Sequence, residues 1–139
     1  MKITLSDAAR RYIALFEEET EATARDCLVF DDRVVFLVSA GEMATAIGPG
    51  GSEVKALEER IGRRVELVED ADTPEAFVAS ALAPAAVRHV TISRQNDVVA
   101  YVEVATEDRG VAIGGGGKTI ETARTLARRH YDIDDIQLT

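Results

Sequence analysis

Taken by its apolar and polar positions, the chain runs through the same succession of elements twice. Ala9, Tyr12, Ile13 and Phe16 recur at helical spacing behind Ser6, whose hydroxyl can cap a helix that starts at Asp7. The run Glu17-Glu18-Glu19 falls where that helix ends and opposes its dipole, so it is expected to be an exposed, slightly unfavourable terminus. Residues 27–30 and 33–38, apolar apart from Arg33, lie on either side of Asp31-Asp32 in the pattern of a hairpin. A short helix over 42–47, a glycine turn, a helix over 52–61 and an alternating strand over 64–68 complete the first set.

The second set opens at Thr73, which caps a helix with Pro74 at its first position and Phe77, Val78, Ala81 and Leu82 on its apolar side. Strands over 87–93 and 98–104 surround the polar turn Arg94-Gln95-Asn96-Asp97. A short helix over 107–113, a second glycine turn, a helix over 118–131 and a strand over 133–138 follow. Each set predicts a three-stranded sheet packed against helices, an α+β arrangement. The acidic stretch 69–72 is the best linker, dividing a first domain at 1–70 from a second at 73–139.

The glycine turns are the most specific feature. The first is Ala46-Ile47-Gly48-Pro49-Gly50-Gly51 and the second Ala112-Ile113-Gly114-Gly115-Gly116-Gly117, 66 residues apart. Each opens a helix whose inner face begins at a β-branched residue, Val54 or Ile120. A plain turn rarely needs so many glycines, because their freedom costs stability; here they let a polymer backbone approach the N–H groups at a helix start. Two phosphate-binding look-alikes fail. Gly117-Lys118-Thr119 ends like a P-loop, but that motif's first glycine is replaced by Ala112 and a helix precedes it where a strand is needed. A dinucleotide fingerprint lacks its third glycine, which falls at Thr119, and the βαβ order around it.

Charge complicates the picture. Sixteen basic and 25 acidic residues give a formal net charge of −9, which taken alone counts against a nucleic-acid partner. The basic residues that matter lie locally, just beyond the glycine turns, and an acidic surface with so few lysines suits a protein kept soluble in high salt or an ordinary acidic cytosolic protein. The single Cys27 sits in an apolar run and reads as a buried structural thiol. His89 and His130 lie in different elements without partner ligands, and no carboxylate pair is joined by a nucleophile or base. Neither a metal, a cofactor nor a catalytic constellation is expected, so the chain reads as a non-enzyme. The N-terminus lacks a signal-peptide pattern and no apolar stretch reaches membrane-spanning length, which points to the cytoplasm and away from a membrane.

The segments 47–54 and 113–120, each in the same frame of elements, resemble the glycine-loop hallmark of KH domains of type II. The tandem as a whole, over about 130 residues, is similar to the archaeal NusA-like transcription factors, above all those of salt-loving archaea. The resemblance implies binding of single-stranded RNA, with each loop holding the phosphodiester backbone of about four nucleotides while bases rest on an apolar platform. Gly48, Pro49, Gly50 and Gly51 would form one loop and Gly114, Gly115, Gly116 and Gly117 the other. Ile47 and Ile113 would pack beneath them, and Val54 and Ile120 would line a groove wall.

One departure matters. The middle positions, often basic in such loops, are Pro49-Gly50 and Gly115-Gly116, so phosphate contact falls to backbone N–H groups and neighbouring cations. In the first domain these are Lys55 and, less favoured, Arg63 and Arg64; in the second they are Lys118, Arg124 and Arg128, which makes the second the stronger expected binder. The function implied is a transcription elongation or termination factor acting on nascent RNA as a monomer, with RNA polymerase or other transcription factors as candidate partners. Bacterial relatives carry a polymerase-contacting N-terminal domain and an S1-like domain with no counterpart in these 139 residues. The competing reading, favoured by the acidic charge and the uncharged loop centres, is a protein-interaction module on a KH scaffold with weak or no RNA affinity.

Overall fold

The computed structural model describes residues 3–139, and Met1 and Lys2 lie outside the described residues. The described chain forms two compact units, one of Thr4–Asp70 and one of Ala71–Thr139 together with Ile3. The first contains α1 (Asp7–Thr20), β1 (Ala24–Val29), β2 (Val34–Val38), α2 (Met43–Ile47), α3 (Ser52–Ile61) and β3 (Val65–Glu69). The second contains α4 (Pro74–Ala81), β4 (Val87–Ser93), β5 (Val99–Val104), α5 (Arg109–Ile113), α6 (Lys118–Tyr131) and β6 (Asp135–Leu138). Between α2 and α3, and again between α5 and α6, the glycine segment makes a single tight turn, Pro49–Gly51 or Gly115–Gly117.

Both sheets have the same mixed topology. The hairpins β1–β2 and β4–β5 are antiparallel, and the third strand joins the central one in parallel, Val34 opposite Val65 and Val99 opposite Asp135. A parallel return needs a crossover, and the two helices with their glycine turn supply it. The turn is therefore held at one end of a covered sheet.

The helix starts follow from local chemistry. The Ser6 hydroxyl accepts from the Ala9 N–H at 3.1 Å, and the Thr73 hydroxyl accepts from the Ala76 N–H at 3.1 Å with Pro74 at the first helical position. Phe16 of α1 is fully buried and stacks on Phe36 of β2 with ring centroids 4.7 Å apart, over a floor of Val34, Val38, Ala46 and Leu57. In the second unit Phe77 stacks on Tyr131 at 4.8 Å, and the Tyr131 hydroxyl donates to the Ala71 carbonyl at 2.7 Å.

Several boundaries differ from the sequence expectation. Strand β1 begins at Ala24 rather than at Cys27, with a bulge between Ala24 and Asp26. The terminus Glu17-Glu18-Glu19 is not a merely tolerated end: Glu17 accepts from the Ala24 N–H at 3.2 Å, and Arg60 of α3 reaches Glu18 at 3.1 Å and Glu19 at 3.5 Å. Of the presumed linker, Glu69 closes β3 and accepts from the Gly41 N–H at 2.8 Å. Asp70 is buried, bonds the Val38 carbonyl through its N–H and pairs with Arg25 at 3.3 Å. Strand β6 starts at Asp135, because the Ile133 N–H still closes α6 on the Ala127 carbonyl.

Arg33 is the main buried polar feature that the apolar pattern conceals. It bonds Glu66 and Asp32 at 2.9 Å each and lies 4.2 Å from the Phe30 ring centroid, so its charge is paired and stacked. Cys27 is buried as expected, and burial, with Asp26 beside it and partly offset by Arg63, pushes its thiol from 9.0 up to about 12. Such a thiol stays protonated and unreactive near neutrality.

Truncating the ring at the centre of the first core tests this packing. Phe16→Ala should destabilise the Thr4–Asp70 unit by about 3–5 kcal/mol, read from the urea midpoint of the intact chain.

Candidate nucleic-acid interface

Each glycine turn is built on a first residue that has no room for a side chain. Gly48 and Gly114 adopt φ 74°, ψ 167° and φ 81°, ψ 164°, a region open to glycine and little else. A Cβ on Gly48 would lie 2.5 Å from Glu53 Cγ and 2.9 Å from the Glu53 nitrogen. On Gly114 it would lie 2.4 Å from Thr119 Oγ1 and 2.8 Å from the Thr119 nitrogen. The chain thus presses against the first turn of the helix that it is about to enter. Gly51 and Gly117 then cap α3 and α6 in left-handed conformation, and their N–H groups close back on the carbonyls of Gly48 and Gly114.

A glycine cap leaves a helix start without a side-chain acceptor. Of the four helices of eight or more residues among the described residues, α1 and α4 have a capping hydroxyl, whereas α3 and α6 have no side-chain cap. The N–H groups of Ser52 and Lys118 still close on the carbonyls of Pro49 and Gly115, and the N–H groups that follow them in the first helical turn have no side-chain acceptor, an arrangement suited to an external anion. Lys118 is exposed at the first position of α6.

Beside the second turn the structure has an open cavity of about 490 Å³. Gly116 and Gly117 form its rim, Ile113, Ile120 and Leu138 its apolar wall, and Arg109, Glu121, Arg124 and Gln137 its polar border. The loop, the first turns of α6 and strand β6 thus enclose one groove. Ile47 and Ile113 do not pack beneath the loops as expected: they are 37% and 40% exposed, and Ile113 belongs to the groove wall. The buried position beneath each loop is one residue earlier, at Ala46 and Ala112, because only that side of the five-residue helix faces the core. Val54 is half-buried and Ile120 buried at the groove edge.

The cations separate into two groups. Arg124 borders the groove, held by the Ile136 carbonyl at 3.0 Å, by Glu121 at 2.7 Å and by Asp135 at 2.9 Å. Arg128 is exposed one turn further along, away from the cavity lining. In the first unit Lys55 borders a different cavity of about 500 Å³, towards the C-terminal end of α3, together with Glu58, Glu59, Gly62, Arg63 and Arg64. Arg63 donates to the Phe30 carbonyl and Arg64 pairs with Glu66 at 3.7 Å, so both brace the fold.

The two units brace the same helix against the same strand with opposite charge. Glu58 of α3 accepts from the Val65 N–H at 2.9 Å, whereas Arg124, 66 residues later in the repeat, donates to the Ile136 carbonyl. The second groove therefore has a guanidinium where the first has a carboxylate.

Family models match in register with this repeat. A KH domain model covers residues 10–73, and a model of the NusA-like second KH domain covers residues 74–139. The chain belongs to the NusA-like family of tandem KH proteins. It is 66% identical to the "Probable transcription termination protein NusA" of Halobacterium salinarum over the whole of both chains. It is 63% identical to the protein of the same name in Halococcus morrhuae, over 99% of each. A crystal structure of APE1850 superposes with a TM-score of 0.85 at 30% identity, covering 97% of this chain and 100% of that one. The fold class, two KH domains each with a three-stranded sheet and helices, is the one read from the repeat.

Arg109, Glu121, Gln137 and Leu138 were not singled out in the sequence. Glu121 and Leu138 could have been found by laying the second repeat on a groove formed by helix and third strand; Arg109 and Gln137 depend on how β6 pairs with β5. Among the described residues no group of three or more His, Cys, Asp or Glu is placed to hold a metal ion, and no helix is long and apolar enough to cross a membrane.

The loop geometry separates two neighbouring glycines. Gly114→Ala should cost about 3 kcal/mol or more, from a forbidden φ combined with overlap on backbone. Gly115→Pro, at the position that Pro49 fills in the first loop, should be neutral or stabilise by up to about 1 kcal/mol. Thermal unfolding of the two variants beside the parent chain reads the difference.

Proposed function

We propose that the chain is a single-stranded RNA-binding factor of transcription elongation and termination, acting in the cytoplasm on nascent RNA as a monomer through its two glycine loops. The observation that carries this reading is the repeated loop itself: an uncapped helix start behind glycines that keep side chains out of the way. In the second KH domain that loop adjoins an apolar groove of about 490 Å³. The name shared by the relatives, transcription termination protein, supplies the process.

In this account the loop backbone and helix start receive phosphate, and the apolar wall of Ile113, Ile120 and Leu138 receives a base. Gly48, Pro49, Gly50, Gly51, Val54 and Lys55 serve the first domain, and Gly114 to Gly117, Lys118 and Ile120 the second. The second domain contributes most of the affinity, since Lys55 stands among Glu58 and Glu59 whereas Lys118 stands at the loop. With no basic side chain in either loop, stacking and backbone fit carry much of the binding and persist where salt screens charge. RNA polymerase or other transcription factors are the partners proposed for the assembled complex.

Binding of short labelled single-stranded RNAs, with a duplex control, tests this at low and at molar potassium chloride. The native chain should bind single strands at both salt concentrations with a shallow salt slope. Gly115→Asp/Gly116→Asp should lower affinity by roughly 10-fold or more with folding intact, and Pro49→Asp/Gly50→Asp by less. Absence of single-strand binding at both concentrations would leave the protein-interaction reading in its place.

A further inference from the structure

Arg124 is held too firmly, and by too much negative charge, to act as a phosphate clamp. Its guanidinium has five N–H donors. The Nε–H and one Nη2–H face the Ile136 carbonyl, with Asp135 2.9 Å from Nε, and one Nη1–H goes to Glu121. One N–H on each terminal nitrogen is left over. The side chain is 26% exposed and borders the second-domain groove together with the apolar wall of Ile113, Ile120 and Leu138. Two carboxylates, Glu121 and Asp135, offset its charge, so its pull on a distant phosphate is weak. What remains is one donor on each terminal nitrogen of a guanidinium held in place at the border of an open groove that has an apolar wall.

Resting on the RNA-binding reading above, we infer that Arg124 is a specificity-determining residue of the second groove, reading a base that presents two adjacent hydrogen-bond acceptors. Guanine does so with O6 and N7, and cytosine with N3 and O2. Adenine N1 and N7 are each flanked by the amino group and both uracil oxygens by N3–H, so that a donor facing the guanidinium is left unpaired, and adenine N3 has no second acceptor beside it. The equivalent position of the first domain is Glu58, committed to the Val65 N–H, so this preference belongs to the second domain alone.

The test uses the full chain and uridine heptamers with one central G, C or A, beside the all-U heptamer. A central G or C should bind roughly 10-fold more tightly than A or U, and the arms show which of the two the groove takes. If guanine is the base, replacing it by 7-deazaguanine, which lacks N7, should remove the advantage without any change to the protein. Arg124→Lys, which keeps the charge and loses the fork, should bring all four heptamers to the affinity of the all-U strand. Equal affinity for all four heptamers with the native chain, or a preference for A, overturns the inference and leaves RNA binding standing. Equal weakening of all four by Arg124→Lys also overturns it and returns the residue to a phosphate role. Failure of every heptamer to bind removes both the inference and the reading on which it rests.

Discussion

The structure depends on a close approach that only glycine permits. At Gly48 and at Gly114 the backbone passes so near the residue five positions later that a single added carbon would meet backbone nitrogen at 2.9 Å or less. This contact turns the chain from one short helix into the next without spending any side chain on the corner. Because the residue that enters each helix, Gly51 or Gly117, has no side chain, the following helix has no side-chain cap, and the N–H groups beyond its first residue remain available to a ligand. The crossover then delivers that helix against a third strand parallel to the central one, which places an apolar wall beside the loop. Turn, open helix start and groove are thus consequences of one steric condition, met twice.

The two domains share this frame and differ in the chemistry set upon it. In the first, α3 is tied to β3 by the Glu58 carboxylate, Arg60 is drawn off to Glu18 and Glu19, and Arg63 and Arg64 are used within the fold. In the second, Arg124 and Arg109 border the groove, Arg109 bonded to the Thr139 carbonyl at 2.9 Å. Most of the cations near the grooves therefore hold fixed positions, and few are left as mobile surface charge. A net charge of −9 is consistent with this division of labour, since the ligand meets backbone N–H groups, apolar walls and a few anchored guanidinium groups.

Much of the fold was legible because its signals are local. Ser6, Thr73 and Pro74 mark helix starts by their own hydrogen-bonding chemistry, and the repeated Ala-Ile-Gly fixes the register of the second half on the first. Most of the misplaced boundaries depend on distant partners. Ala24 joins β1 because β2 lies opposite it, Asp70 is drawn inward by Arg25, and Ile133 is kept from β6 by the end of α6. The same holds for the candidate site. Its glycines, Ile120 and Arg124 could be named from sequence, whereas Gln137 reaches the groove through the parallel pairing of β5 with β6 and Arg109 is held by the distant Thr139 carbonyl. Ile47 and Ile113 were assigned to the wrong side because apolar character says what prefers burial, not which side of a five-residue helix the core will occupy.

The central claim is that the loop backbone is the surface that receives RNA, and backbone amides can be watched individually. The most direct measurement is an ¹⁵N–¹H NMR titration of the full chain with a short single-stranded RNA, following the glycine amides in their own spectral region. The account predicts that the amides of Gly115, Gly116 and Gly117, with Lys118 and Ile120, move first and furthest, and that Gly50 and Gly51 follow at higher RNA concentration. Largest shifts on the outer sheet strands or on α4, with the loop amides unmoved at saturation, would contradict it.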